Sequence, residues 1–383
     1  MQRREFLKIT ATAAPLLFLK LPLLSKQNGI SPAYYCAKVF DNEKANLSNF
    51  VEFEYKFEKN KKEYMNLLKS AVEKYKKEGN SLIMSPSGIA DALHFFTKYF
   101  YKIKKFQGYR QTDALNKAIQ LHQSDSLTSS YFFADFLLSI GMPKEHIKFA
   151  RILADSKYEA GDNLLKVGNI YFKTTFHQND IGGISIYSQT EDLIREQYSG
   201  PITLYSLDED FTLLNIGALS SFLSQESRTW LNRLLANKKK YDETGIKLFR
   251  GAYEDSLKHF IIINEHATKT LQELILQRPE DARLHYDSGY FIYEKCLWQK
   301  ELFPEETPND IYLAAFHFGK AIQIFEDYWP AYLMHAECLL LMGNGEGCKM
   351  QMQKALSIMP DGERKKESIG RYWNMLNELE QKK

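Results

Sequence analysis

An α+β unit followed by an all-helical one is the fold class predicted here, on three observations. Residues 131–140 (Tyr131, Phe132, Phe133, Ala134, Asp135, Phe136, Leu137, Leu138, Ser139, Ile140) are apolar on nearly every face of a helix, and a helix of that kind belongs at the centre of a domain. Segments with strand periodicity follow it, between His146 and Tyr187. From Phe211 onward the patterning is helical, and residues 331–360 space small and large side chains as paired antiparallel helices require.

With 383 residues the chain has room for two domains, each able to bury a core. Apolar residues make up 44% and aromatic ones 14%, which places it among packed globular proteins. The formal charge of +2 comes from 50 basic and 48 acidic residues, so net charge points to neither nucleic acid nor an anionic membrane as partner. Lys238, Lys239 and Lys240 form the densest basic run of the central region and read as a solvated helix end. The four cysteines, Cys36, Cys296, Cys338 and Cys348, form no C-x-x-C pair and have no histidine at zinc-like spacing, so no metal or cofactor is expected. Two readings stay open for Cys338 and Cys348: a disulfide across one helical hairpin in an oxidising compartment, or small residues packed between helices.

The chain starts Met1-Gln2-Arg3-Arg4-Glu5-Phe6-Leu7-Lys8. This is close to the twin-arginine export pattern, with Gln2 where Ser or Thr is preferred. The apolar run over 9–24 is short and interrupted by Pro15, Lys20 and Pro22, so it does not read as a spanning helix. Ser31, Pro32 and Ala33 offer small residues before a cleavage point, while Tyr34 and Tyr35 before Cys36 speak against a lipid anchor. Residues 1–33 are therefore read as an export signal, an uncleaved anchor or a chance match being the alternatives. No stable membrane span is expected once it is removed.

A Lys/Glu-rich helix is expected over 46–77, with Tyr64, Leu67, Leu68, Ala71, Val72 and Tyr75 on its apolar face and a break at Gly79. Ser85-Pro86-Ser87-Gly88 opens a second helix through Ala92, Leu93, Phe96 and Tyr99. The central helix is capped by Asp125 or Ser126 and stopped by Gly141-Met142-Pro143. A strand over 146–154 sets Ile147, Phe149, Arg151 and Leu153 against Lys148, Ala150 and Ile152. Further strands are expected over 164–173 and 183–187. In the helical half, Tyr332, Ala336, Gly343, Cys348, Met352, Ala355 and Pro360 follow a large, small, turn, small, large, small, Pro pattern. Looser copies are Ala314, Phe318 and Ala321, and Ala267, Leu271 and Pro279; Gly289 supplies a small first-helix position, and 302–310 reads as an insertion loop.

The order of a Leu-Asn helix (Leu115, Asn116, Lys117, Ala118, Ile119), a Ser-rich turn (Ser124, Asp125, Ser126) and a Gly141-Met142-Pro143 stop resembles bacterial transglutaminase-like proteins with a C-terminal tetratricopeptide (TPR) tail. The resemblance covers roughly residues 85 to 365. It implies a papain/transglutaminase-like domain over 45–208 and an all-α TPR superhelix over 211–383, with Tyr332, Ala336, Gly343, Cys348, Met352, Ala355 and Pro360 as packing positions. Active members of that family use a Cys at the helix start, a His on the next strand and an Asp on a later one. Carried over position by position, these become Ser126, Asn169 and Tyr187, so the triad is degenerate. Asn takes no proton at neutral pH, and Tyr is a poor substitute for a buried carboxylate. His177 and Asp180 could supply a base and its orienting group, but that run reads more simply as a polar turn; His94 and His122 read as surface or core-edge residues.

The expected function is that of an exported, periplasmic, non-catalytic binding or adaptor protein whose TPR surface takes a peptide or protein partner. The alternative is a Ser- or His-dependent amidohydrolase or peptidase acting on cell-envelope peptides.

Overall fold

The computed structural model describes residues 57–100, 107–108, 123–124, 126–152, 163–173, 187–189, 202–207, 212–302, 310–359, 361 and 363–381. The export signal over 1–33, Cys36, His122, Asp125, His177, Asp180 and Pro360 lie outside the described residues. Among those described, no helix is long and apolar enough to cross a membrane.

Helix α1 (Phe57–Lys77) buries Tyr64, Leu67, Leu68, Ala71 and Tyr75, a single stripe at helical spacing, and turns Lys62, Glu63, Lys69, Glu73, Lys76 and Lys77 to water. It ends where Gly79 takes φ 78°, a left-handed conformation that only glycine adopts without a Cβ penalty. Helix α2 (Pro86–Lys98) starts on Ser85, whose side chain accepts from the Gly88 amide at 3.2 Å, with Pro86 in the first turn where no N–H is missed. The two short strands β1 (Gln107–Gly108) and β2 (Gln123–Ser124) pair in parallel. Helix α3 (Ser126–Ser139) is the apolar helix of the sequence. Tyr131 to Leu137 are buried without a break, which is why its residues show no polar face. Its aromatic rings close a layer with α1 and α2: Phe136 stacks on Phe96 at 4.5 Å and meets Tyr75 edge-on at 5.5 Å, and Phe132 stacks on Tyr64 at 5.0 Å.

After a short 3₁₀ turn (Lys144–His146) come β3 (Ile147–Ile152), β4 (Asn163–Val167), β5 (Ile170–Lys173), β6 (Tyr187–Gln189) and β7 (Ile202–Ser206). They form one antiparallel sheet of order β6-β5-β4-β3-β7. The expected strand over 164–173 is two strands. Gly168, at φ 60°, allows a two-residue turn, so Val167 pairs directly with Ile170. The pleat sorts the side chains. Ile147, Phe149, Leu165, Val167, Phe172 and Tyr205 enter the core under α3, whereas Ala150, Ile152, Leu164 and Tyr171 form a small cluster of their own.

Beyond the sheet the chain is helical: α4 (Thr212–Thr244), α5 (Lys247–Gln277), α6 (Ala282–Leu302), α7 (Asp310–Ile324), α8 (Trp329–Leu341), α9 (Gly345–Ile358) and α10 (Glu363–Gln381). Successive helices pack side by side as α4 with α5, α6 with α7, and α8 with α9. Left-handed glycines mark two of the turns, Gly245 at φ 64° and Gly343 at φ 77°. Lys238 and Lys239 sit in the last turns of α4, paired with Asp242 and Glu243 four residues on.

One core joins the two kinds of structure. Ala267, Leu271 and Leu274 of α5 and Leu284 and Phe291 of α6 belong to the same apolar cluster as α1, α2, α3 and the sheet. A second cluster runs through α6, α7 and α8, and a third through α8, α9 and Tyr372 of α10. Each helix of this half thus packs chiefly on its neighbours in sequence.

Candidate functional site

The three positions carried over from the family resemblance stand on different parts of the unit. Ser126 is the first residue of α3, and its side chain lies outside what the structure describes. Asn169 occupies the tight β4–β5 turn and is exposed. Tyr187 opens the edge strand β6 opposite Lys173. Lys173 lies four residues along from Asn169, about 13 Å at strand rise. Asn169 and Tyr187 therefore do not form a neighbouring pair. His94 is exposed on α2. Cys296, Cys338 and Cys348 are free thiols, all buried. Burial pushes the Cys296 thiol up to about 12 and that of Cys348 to about 11, so neither is a poised thiolate.

Among the described residues, a buried polar network lies where α6 meets the sheet. Arg151 lies on the core-facing side of β3, in line with Ile147 and Phe149, and is only 7% exposed. Its guanidinium Nη2 lies 3.4 Å from Asp287 Oδ2 on α6, and Asp287 is 2% exposed. Arg283, one turn earlier on α6, brings its Nε to 2.7 Å from the other oxygen of the same carboxylate. One buried carboxylate is thus shared by two guanidiniums. Burial is the largest single influence on Arg283 and works against its charge; Asp287, with Tyr328 and Tyr286, outweighs it and holds the cation more firmly than usual.

Asp281 begins the same helix. Its Oδ1 accepts from the amides of Arg283 at 3.0 Å and Leu284 at 3.4 Å, as an N-cap does, and its Oδ2 accepts from the Tyr205 hydroxyl of β7 at 3.3 Å. Burial raises the Asp281 pKa against the lowering influence of Arg278, and burial together with Asp281 pushes the Tyr205 phenol well above its ordinary range. Arg278, at the end of α5, covers the Tyr205 ring at 5.7 Å. The seam therefore ties β3, β7, the end of α5 and the first two turns of α6 into one network.

A smaller polar knot lies further along α6. The Tyr293 hydroxyl donates to the buried carboxylate of Glu337 on α8, and Arg371 of α10 reaches the other oxygen at 2.5 Å. Lys295 bridges Glu265 of α5 and Asp310 of α7 at 3.8 and 2.7 Å. Between the seam and this knot, His285 and His317 face each other across α6 and α7.

None of these groups was singled out by sequence reasoning, yet three signals were present. Arg151 interrupts the apolar face of a strand, Arg283 and Asp287 stand four apart, and Asp281 precedes a helix where a cap is wanted. The carboxylates of the network are held by cations, amides or phenols. Among the described residues, no group of three or more His, Cys, Asp or Glu is placed to hold a metal ion. Comparison with family models, with curated proteins and with solved structures finds no match to this chain.

Proposed function

We propose that this chain is an exported, non-catalytic binding protein. Its helices α4 to α10 act as a TPR-like array for a peptide or protein partner, and its sheet-containing half is a degenerate transglutaminase-like domain. The observation that carries the reading is the α8–α9 hairpin: Ala336, Cys348, Met352 and Ala355 are buried at the positions where a repeat's paired helices touch, and Gly343 makes the turn between them. Gly289 supports it one hairpin earlier, where a Cβ would stand 3.0 Å from the Phe318 ring. The non-catalytic part rests on the separation of Asn169 from Tyr187 and on cysteines whose thiols are held protonated. Export rests on Arg3 and Arg4 in their twin-arginine context.

The test is incubation of the purified full chain with a peptide library, reading both retention and cleavage by mass spectrometry. The expected result is saturable retention of a subset of peptides, recovered intact. Cleavage of any peptide that disappears in Ser126→Ala overturns the reading in favour of the amidohydrolase, and absence of saturable retention overturns the binding function itself.

A further inference from the structure

The α6–α7 contact holds two buried imidazoles head to head, with His285 Nδ1 3.2 Å from His317 Nδ1. The other nitrogen of His285, Nε2, lies 3.1 Å from the Pro279 carbonyl oxygen. A carbonyl only accepts, so His285 Nε2 carries the proton and, in the neutral ring, His285 Nδ1 is a lone pair. His317 Nδ1 must then be the donor across the pair. The neutral pair has one consistent tautomer assignment.

That assignment determines how the pair takes up acid. A first proton has a place on His317 Nε2, which leaves the Nδ1–H···Nδ1 contact intact and strengthens its donor. A second proton can only enter at His285 Nδ1. It would set two N–H groups and two positive charges against each other in a buried site. We propose that His285 and His317 form an acid-operated latch between α6 and α7, closed while the pair carries at most one extra proton and forced open when both rings are charged.

The surroundings favour the closed form at neutral pH. Burial lowers the pKa of both rings, that of His317 to about 4. On His285, the Pro279 carbonyl and Asp281 at the start of α6 favour the cation, and Lys320 of α7 opposes it. On His317 the opposing charge is His285 itself, and the Phe316 ring packs against it at 5.5 Å. From α8, His335 lies beside Gly319 of α7, and burial also lowers its pKa while Gln351 works the other way. Because the folded state holds these imidazoles neutral, their contribution to stability is complete above the ordinary value of about 6.5 and is lost as pH falls from there toward about 4. Opening would part α7 from α6, while the Asp287 ion pairs keep α6 on the sheet.

The test follows amide exchange of the full chain by mass spectrometry, corrected for intrinsic rates, from pH 7 to pH 4.5. Protection of peptides from α7 should fall by at least about 100-fold, the factor that one ring held neutral supplies between about pH 6.5 and 4.5, while peptides from α3 keep theirs, and His317→Gln should remove most of the α7 loss. Unchanged α7 protection, or an equal loss in His317→Gln, overturns the latch. Should that variant not fold, ¹⁵N-histidine spectra of the parent decide. One ring protonated at Nε2 and its partner at Nδ1 at pH 7 supports the pair, and two Nε2–H rings titrating near 6.5 refute it.

Discussion

Helices α3 and α6 are both buried nearly all round, and they achieve it by opposite chemistry. From Tyr131 to Leu137, α3 inserts aromatic and aliphatic side chains, with Asp135 as its one buried charge in that run, held by the Tyr64 hydroxyl. From Ala282 to Gly289, α6 buries Arg283, His285, Asp287 and Ser288 among its apolar residues. Burial of α3 is non-directional and tolerates small shifts, because apolar area is what stabilises it. That of α6 is directional: each charge needs its partner at hydrogen-bond distance, since an unpartnered buried charge is strongly destabilising. The sheet-to-helix junction is thereby held in one register. Arg151, Tyr205 and Arg278 can meet α6 productively in that arrangement and not in a slipped one.

The comparison can be broken most directly at its two centres. Asp287→Ala leaves Arg151 and Arg283 buried without their carboxylate and should cost about 3–5 kcal/mol by chemical denaturation. Phe136→Ala removes a ring from the α1–α2–α3 layer and should cost a similar ~3–5 kcal/mol through the cavity it leaves. The two losses should differ in how they are repaired. Replacing the whole triad with apolar residues (Arg151→Met, Arg283→Met, Asp287→Leu) should restore the parent's stability or exceed it, whereas no polar substitution should rescue Phe136→Ala. If Asp287→Ala costs less than about 1 kcal/mol, a surface-pair value, the seam is not a buried network.

A middle-sized effect is expected from Ala336→Trp. This residue is fully buried between α8 and α9, and overpacking there should cost roughly 1–3 kcal/mol. Because α8 to α10 have their own apolar cluster, the loss of exchange protection should be confined to those helices and spare α3. Equal loss in α3 would mean that the two halves unfold as one.

The smallest effect belongs to a helix start. Ser85→Ala removes the acceptor for the Gly88 amide at the head of α2 and should lower stability by about 0.5–2 kcal/mol, with fraying confined to the first turn of α2. A thermal melt identical to the parent's would show that Pro86 alone holds that end.

Much of the local architecture could be read from residue order. The apolar run of α3, its stop at Gly141 and Pro143, the opening of α2 at Ser85-Pro86, the break at Gly79 and the α8–α9 hairpin each depend on interactions a few residues apart, which periodicity and the chemistry of glycine and proline report. The β4–β5 turn is a local feature that periodicity does not report. Gly168 and Asn169 lie inside a run of strand-forming residues, and only the pairing of Val167 with Ile170 reveals that the strand folds back on itself. Tertiary structure alone decided the rest. Arg151 meets Asp287 across 136 positions of chain, Tyr205 meets Asp281 across 76, and His285 meets His317 across 32. In the sequence each of these is an ordinary polar residue, indistinguishable from one facing water. What makes them a buried network is the arrival of a partner from a distant element, and local patterning carries no information about that arrival.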